Sequence, residues 1–340
     1  MADTDAPKKL RTWSAFGDIR RKPSEYEIVT HGLNYTMRTN RRTPLESNPT
    51  SPMNSWLLTY RDKSPLQCDD WDGYRDPAQL TYRKYVEMQS KAEQVVTGVL
   101  DEYAEIDHDA DLDEDWLRYL AYALTPQRYP THALQMMQAY LASMAPSSYI
   151  VNAGAFAAAD LLRLNSVLAY RTRALQRAHP SIGFGTTERA AWERDPDWQP
   201  IRKALEQALV AYDWGECLAA VNLVLKPSLN EVLNHQLGMI AKDSEDGLTW
   251  MLLGSIQRDA DRNVKWSVAL ARYAIDRRAE NRAVLQKWVN RWLPRARAAT
   301  EAAAKIVATA PNSSRTADAI TAAASEKRAG ILAEAGLSAS

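Results

Sequence analysis

Five histidines, His31, His108, His132, His179 and His235, are the scarcest residues in this 340-residue chain that could hold a redox metal. A bundle that binds two iron ions takes one Glu from each of two helices and a Glu-x-x-His pair from each of two others. The spacing matters because residues three apart on a helix face the same way. Only Glu105-Ile-Asp-His108 fits, and it lies in an acidic stretch at a predicted helix end. Glu231 and His235 are four apart, and there is no second Glu-x-x-His. The ligand set for an iron pair is incomplete, so the sequence assigns no catalytic, cofactor-binding or metal-binding residue to this chain.

Other chemistries fail on similar grounds. The run Asp107-x-Asp109-x-Asp111-x-Asp113 begins like a calcium loop. Position six is Leu112 where Gly is needed, and position twelve is Arg118 where Glu is needed. A solvated helix junction is the expectation. Gly183-Phe-Gly185 is too short for a dinucleotide fingerprint, and no phosphate loop, Cys-x-x-Cys or serine elbow occurs. Cys68 and Cys217 read as reduced thiols. Lys plus Arg and Asp plus Glu both number 42, which gives no broad drive toward nucleic acid or acidic membranes. Basic clusters at Arg20-Arg21-Lys22 and at Arg38, Arg41 and Arg42 point instead to contacts between subunits. No apolar run is long enough to span a membrane and no secretory h-region follows Met1, so a cytoplasmic protein is expected.

The elements that would position such residues are helices. The chain appears organised around Asp195–Leu237, where Ile201, Leu205, Ala208, Leu209 and Tyr212 mark one helical face. Asp197 is the expected cap and Pro200 suits the first turn. After a break at Tyr212–Glu216, Leu218, Val221, Val224, Leu225, Leu229, Val232 and Leu233 predict a deeply buried helix that Pro227 should kink. Asp76-Pro77 should open a long helix through Val99 and Tyr103, and Asp113 should cap the next. Residues 114–144 read as one helix kinked at Pro126 and Pro130, or two in line. Pro146-Ser147-Ser148 opens a helix in which Asp160 and Arg163, three apart, are expected to pair. Further helices run from Leu248 to Ile275 and from Val284 through Pro294 to about Ala310. Residues 1–78 differ: they hold seven of the 16 prolines, many aromatics and little helical period. The expectation is an all-α long-helix bundle over 79–310, an extended contact-making arm over 1–78, and an Ala-rich helix or tail over 311–340. Eleven Trp against three Phe suit either core or interface use.

Specific strings go further. Arg11-Thr12-Trp13-Ser14, Lys22-Pro23-Ser24-Glu25-Tyr26-Glu27-Ile28-Val29, Ser51-Pro52-Met53-Asn54-x-Trp56, Tyr60-Arg61, Asp76-Pro77 and Leu80-x-Tyr82-Arg83-x-Tyr85 resemble the beta subunits of bacterial multicomponent di-iron monooxygenase hydroxylases. So do Met144-Ala145-Pro146, Ala169-Tyr170-Arg171-Thr172, Tyr212-Asp213-Trp214-Gly215-Glu216 and Asn222-Leu223-Val224-x-Lys226-Pro227. The match covers roughly residues 10–300 and is closest to the toluene, alkene and isoprene monooxygenase branch. The resemblance implies a ferritin-like fold in a dimer of alpha-beta-gamma protomers. It places the di-iron centre, oxygen activation and substrate pocket in the alpha subunit, and leaves this chain without cofactor. It also implies an N-terminal arm that embraces neighbouring subunits, a small effector protein, a Rieske 2Fe-2S ferredoxin, and a reductase using FAD and NADH. A stand-alone helical scaffold and a ferritin-like metal-binding protein are the alternatives.

Overall fold

The computed structural model describes Phe16, residues 21–34 and residues 52–339. Fifteen α-helices occur among them, and no strand. Trp13, Tyr35, the Arg38, Arg41 and Arg42 cluster and Arg20 lie outside the described residues.

The predicted central helix is the core. Asp213 caps it, accepting from Gly215 N at 2.9 Å and Glu216 N at 3.2 Å. The chain then stays helical to residue 243 through α9 (Trp214–Cys217), α10 (Lys226–Asn230) and α11 (Leu237–Asp243). The joins are π-helical, Leu218–Leu225 and Glu231–Gln236. Pro227 cannot donate to its preceding turn and its ring crowds the carbonyl four residues back. The wider π-turn ahead of it accommodates both defects without ending the helix. Every residue of Leu218–Leu225 is buried.

Other helices surround this one. α5 (Arg128–Met144) and α6 (Ser148–Ala178) form a hairpin, with Ser147 capping α6 through Tyr149 N. α13 (Gln257–Arg277) and α14 (Asn281–Ala308) form another, and α14 carries Pro294 inside it. α15 (Ala317–Glu334) resolves the open choice over 311–340 as a helix. It docks through buried Ile320, Ala324, Leu332 and Arg328, whose Nη1 donates to Ser228 Oγ at 2.8 Å.

Several boundaries differ from expectation. α3 (Tyr82–Glu105) is capped by Thr81, not Asp76. The Asp76 side chain instead accepts from Ala78 N, and Gln79 takes a left-handed φ of 44° that ends that turn. α8 (Gln199–Leu209) starts without a side-chain cap, and Asp197 accepts from Tyr122 OH instead. Pro200 does sit in its first turn. Residues 114–144 are two helices, α4 (Glu114–Ala123) and α5, split by a 3-10 turn at Thr125–Gln127. Asp113 caps α4 as expected. The helix read over 248–275 is also two, α12 (Gly247–Ser255) and α13, broken at Ile256.

Residues 21–34 and 52–78 lie on the chain's own helices. Trp71 packs edge-on against Trp214, with ring centroids 5.0 Å apart. Tyr74 is buried and its hydroxyl donates to the Trp266 carbonyl at 2.9 Å. Ser64 Oγ donates to Asp213 at 2.8 Å, so the arm also steadies the cap of the central helix. Short helices punctuate this segment, α1 (Glu25–Thr30) and α2 (Pro52–Leu57) among them. Glu27 joins α1 to Arg75, whose guanidinium stacks 3.8 Å over the Tyr149 ring of α6.

Gly215 lets this arm approach. A Cβ there would stand 2.9 Å from Leu66 Cδ2 and from Trp288 Cζ3. Gly215→Ala is expected to lower unfolding stability by about 1–3 kcal/mol through overpacking. Denaturant titration followed by circular dichroism measures it, and an unchanged midpoint would show that the arm yields freely.

Candidate functional site

Three helices bring polar side chains into the bundle at helical spacing. α3 supplies Tyr85, Gln89 and Glu93; α6 supplies Asp160 and Arg163; α13 supplies Asp259, Arg262 and Asn263. Asp160 and Asp259 are buried, and a buried carboxylate needs a cation. The expected pairing of Asp160 with Arg163 does not form. The pairs cross instead: Arg262 Nη2 lies 2.5 Å from Asp160 Oδ2, and Arg163 Nη1 lies 3.1 Å from Asp259 Oδ2. Both helices carry the same Asp-x-x-Arg spacing, so each acid finds its base on the other helix. Arg262 Nη1 also reaches Asp259 at 3.1 Å, and Gln89 Nε2 bridges Asp160 at 3.0 Å and Asp259 at 2.9 Å. Tyr85 OH and Asn263 Nδ2 complete the shell of Asp160. Glu93, half exposed, closes the ladder on Arg163.

Lys226 enters from α10. It is buried, and its Nζ has no hydrogen-bond partner. Burial pulls its pKa down to about 8, against the raising field of Asp160. Burial and the neighbouring Asp259 raise the Asp160 pKa, while Arg262 opposes them. Next to Lys226, Asn222 links Gln138 of α5 to Ser267 of α13.

The residues tested from sequence sit elsewhere. His108 meets Asp246, at 3.3 Å, in a second knot where Asp246 also caps α12 through Thr249 N and accepts from Trp116 Nε1 at 3.1 Å. Arg171 Nη2 lies 3.5 Å from the same carboxylate. Burial opposes ionisation of Asp246, but the His108 hydrogen bond and the Arg171 charge outweigh it and hold the acid well below the usual carboxylate range. Asp109 pairs with Arg171 and Asp113 caps α4, so the acidic run is a helix junction. His235 and Glu231 bond to each other at 2.8 Å at the bundle margin, where Glu231 also takes Gln236 and Lys327. Both cysteines are free thiols, and burial pushes Cys217 up to about 12. Among the described residues no three of His, Cys, Asp and Glu converge to hold a metal ion. None of the described helices is long and apolar enough to cross a membrane.

Residues 56–278 match the family model described as methane/phenol/alkene hydroxylase. The chain belongs to that family. It is 41% identical over 298 residues to the hydroxylase beta subunit of the toluene-4-monooxygenase system of Ectopseudomonas mendocina, spanning 88% of this chain and 90% of that one. The hydroxylase small subunit of propane 2-monooxygenase from Mycolicibacterium smegmatis is 24% identical over 305 residues, 84% of this chain and 78% of the relative. A solved toluene 4-monooxygenase with toluene in its resting active site superposes with a TM-score of 0.82 at 39% identity, covering 89% of this chain and 99% of that chain. The fold is thus the ferritin-like bundle of these hydroxylases, and the chain is a beta-type hydroxylase subunit of a multicomponent di-iron monooxygenase. The iron pair of such systems does not fit the donors described here. Two acids are already engaged by guanidiniums, an ammonium stands beside them, and no histidine faces them.

The crossed cluster was missed in the sequence because only Asp160 and Arg163 were weighed. The recurrence of their spacing in Asp259-Ala-Asp-Arg262 was the available signal.

The charge of Lys226 costs stability while it stays protonated. Its unfolded pKa is near 10.5 and its folded value about 8, so the unfolded chain binds the extra proton between them and wild-type stability rises across that window. Lys226→Met is expected to be more stable than wild type at pH 7 by on the order of 3 kcal/mol, with the gap closing as pH rises from 8 toward 10.5. Denaturant midpoints across that range test this; a constant gap would refute the buried charge. Asp246 has the opposite sign. Its folded pKa is depressed, so its contribution is full above the ordinary 3.8 and fades as pH falls. Asp246→Asn should therefore lower stability at pH 7 and flatten the loss of stability below about pH 4 in acid titrations.

Proposed function

We propose that this chain is the non-catalytic beta subunit of a hydroxylase that inserts one oxygen atom of O2 into a hydrocarbon. The carrying observation is the interior donor set, in which both buried acids of the cluster are engaged by arginine. With the beta-subunit relative at 41% identity, it supports a reading in which the di-iron centre and substrate pocket belong to a larger alpha subunit. An aromatic hydrocarbon of the toluene class, or an alkene or isoprene, is the proposed substrate. The proposed assembly is a cytoplasmic dimer of alpha-beta-gamma protomers served by an effector protein, a Rieske ferredoxin, and a reductase carrying FAD and oxidising NADH.

This chain would act by shape. α3 leaves Tyr82, Val86 and Val95 exposed, α6 leaves Leu162 and Tyr170, and α12 leaves Trp250 and Met251. Exposed apolar groups on long, rigid helices suit a large obligate interface. The masked part of the arm is proposed to add further intersubunit contacts.

Co-expression with a candidate alpha subunit tests the reading. Iron should follow the larger chain and be absent from this one in stoichiometric amount. Leu162→Asp with Tyr170→Asp should abolish co-purification while leaving the helical circular dichroism intact. Two irons bound to this chain alone would overturn the proposal.

A further inference from the structure

A bundle that holds two metal ions takes an acid and a histidine, three residues apart, from each of two helices, and one acid from each of two more. The cluster here has the same plan with different chemistry. α6 brings Asp160-x-x-Arg163 and α13 brings Asp259-x-x-Arg262, each as an acid and a base three residues apart. On the remaining two helices, α3 brings the amide Gln89 and α10 the ammonium of Lys226.

We propose that this cluster is a metal-pair site of the bundle in which the crossed guanidiniums of Arg163 and Arg262 stand in for the cations. Two features favour this over a chance core ion pair. Arg262 Nη2 lies 2.5 Å from both oxygens of Asp160, a bidentate seat of the kind a divalent cation takes on a carboxylate. Lys226 Nζ is buried and unpartnered within the field of Asp160, Arg262 and Asp259, where a fourth helix would otherwise supply an acid. Three positive groups, Arg163, Arg262 and Lys226, face three negative ones, Asp160, Asp259 and Glu93. A free cation would enter against that balance. The arginines therefore do the mechanical work of metal ions: each ties helices together through carboxylates, with a charge that cannot dissociate or change oxidation state. This inference rests on the ferritin-like fold and the side-chain geometry, and it does not depend on the proposed assembly.

Restoring metal-type ligands tests it. In the full chain, Arg163→His, Arg262→His and Lys226→Glu are combined, and Co2+ is titrated with visible absorption and equilibrium dialysis as readouts. The expected result is at least one Co2+ per chain with d–d absorption, absent from wild type. Adding Asp160→Asn should weaken binding at least tenfold. If the triple variant loses helical circular dichroism in metal-free buffer, Co2+ should restore it. The proposal is overturned by a folded triple variant that takes up no more Co2+ than wild type, by binding indifferent to Asp160→Asn, or by an unfolded variant that Co2+ does not restore.

Discussion

Two carboxylates cannot sit inside a helical bundle unless positive charge is buried with them. In this protein that constraint decides how α3, α6 and α13 meet. Asp160 and Asp259 each take the guanidinium of the opposite helix, so neither helix satisfies its own acid, and sliding either one would strand two charges at once. Breaking one partner of such a pair typically costs about 3–5 kcal/mol, although the intact pair adds little over an apolar core. The cluster is better understood as fixing register than as adding stability. The same device recurs nearer the surface. Glu27 is held by Arg21 and Arg75 and attaches α1 to the body, and Asp246 is held by His108 and Arg171 where α3, α4, α6 and α12 converge.

Much of the bundle was legible because apolar periodicity reports helices directly. The buried central helix, the Asp113 and Ser147 caps and the passage of α14 through Pro294 all followed from local chemistry. The failures share a cause. Asp76 and Asp197 are good cap residues by type, but each had a competing use: Asp76 closes a turn on Ala78, and Asp197 receives a distant tyrosine. Likewise Asp160 and Arg163 were rightly expected to be charge-paired, but spacing along one helix cannot show that a second helix carries the complementary pair. Lys226 gave no signal, because a lysine beside a proline reads as a helix end, and only burial reveals otherwise. The family resemblance supplied what periodicity could not, since nothing in the helical pattern alone pointed to oxygenation.

The packed portion of the arm changes the picture of how this subunit is built. Trp71, Tyr74 and Leu66 belong to the core, and Ser64 shares the Asp213 carboxylate with the first turn of the central helix. Part of the aromatic excess is therefore structural. The apolar side chains left outside lie instead on α3, α6 and α12, which are long and stiff and so present an ordered face.

The π-helical turns around Lys226 carry an evolutionary consequence. Each such turn accommodates an additional residue within an otherwise α-helical rod, and one residue corresponds to roughly 100° of rotation about the axis. Loss of a single position between 218 and 225 would straighten the rod yet swing everything after it, Lys226 and Glu231 included, onto a different side. Point substitutions can drift through this region, but its length cannot, so descendants of this chain are constrained in residue count here more tightly than in residue identity.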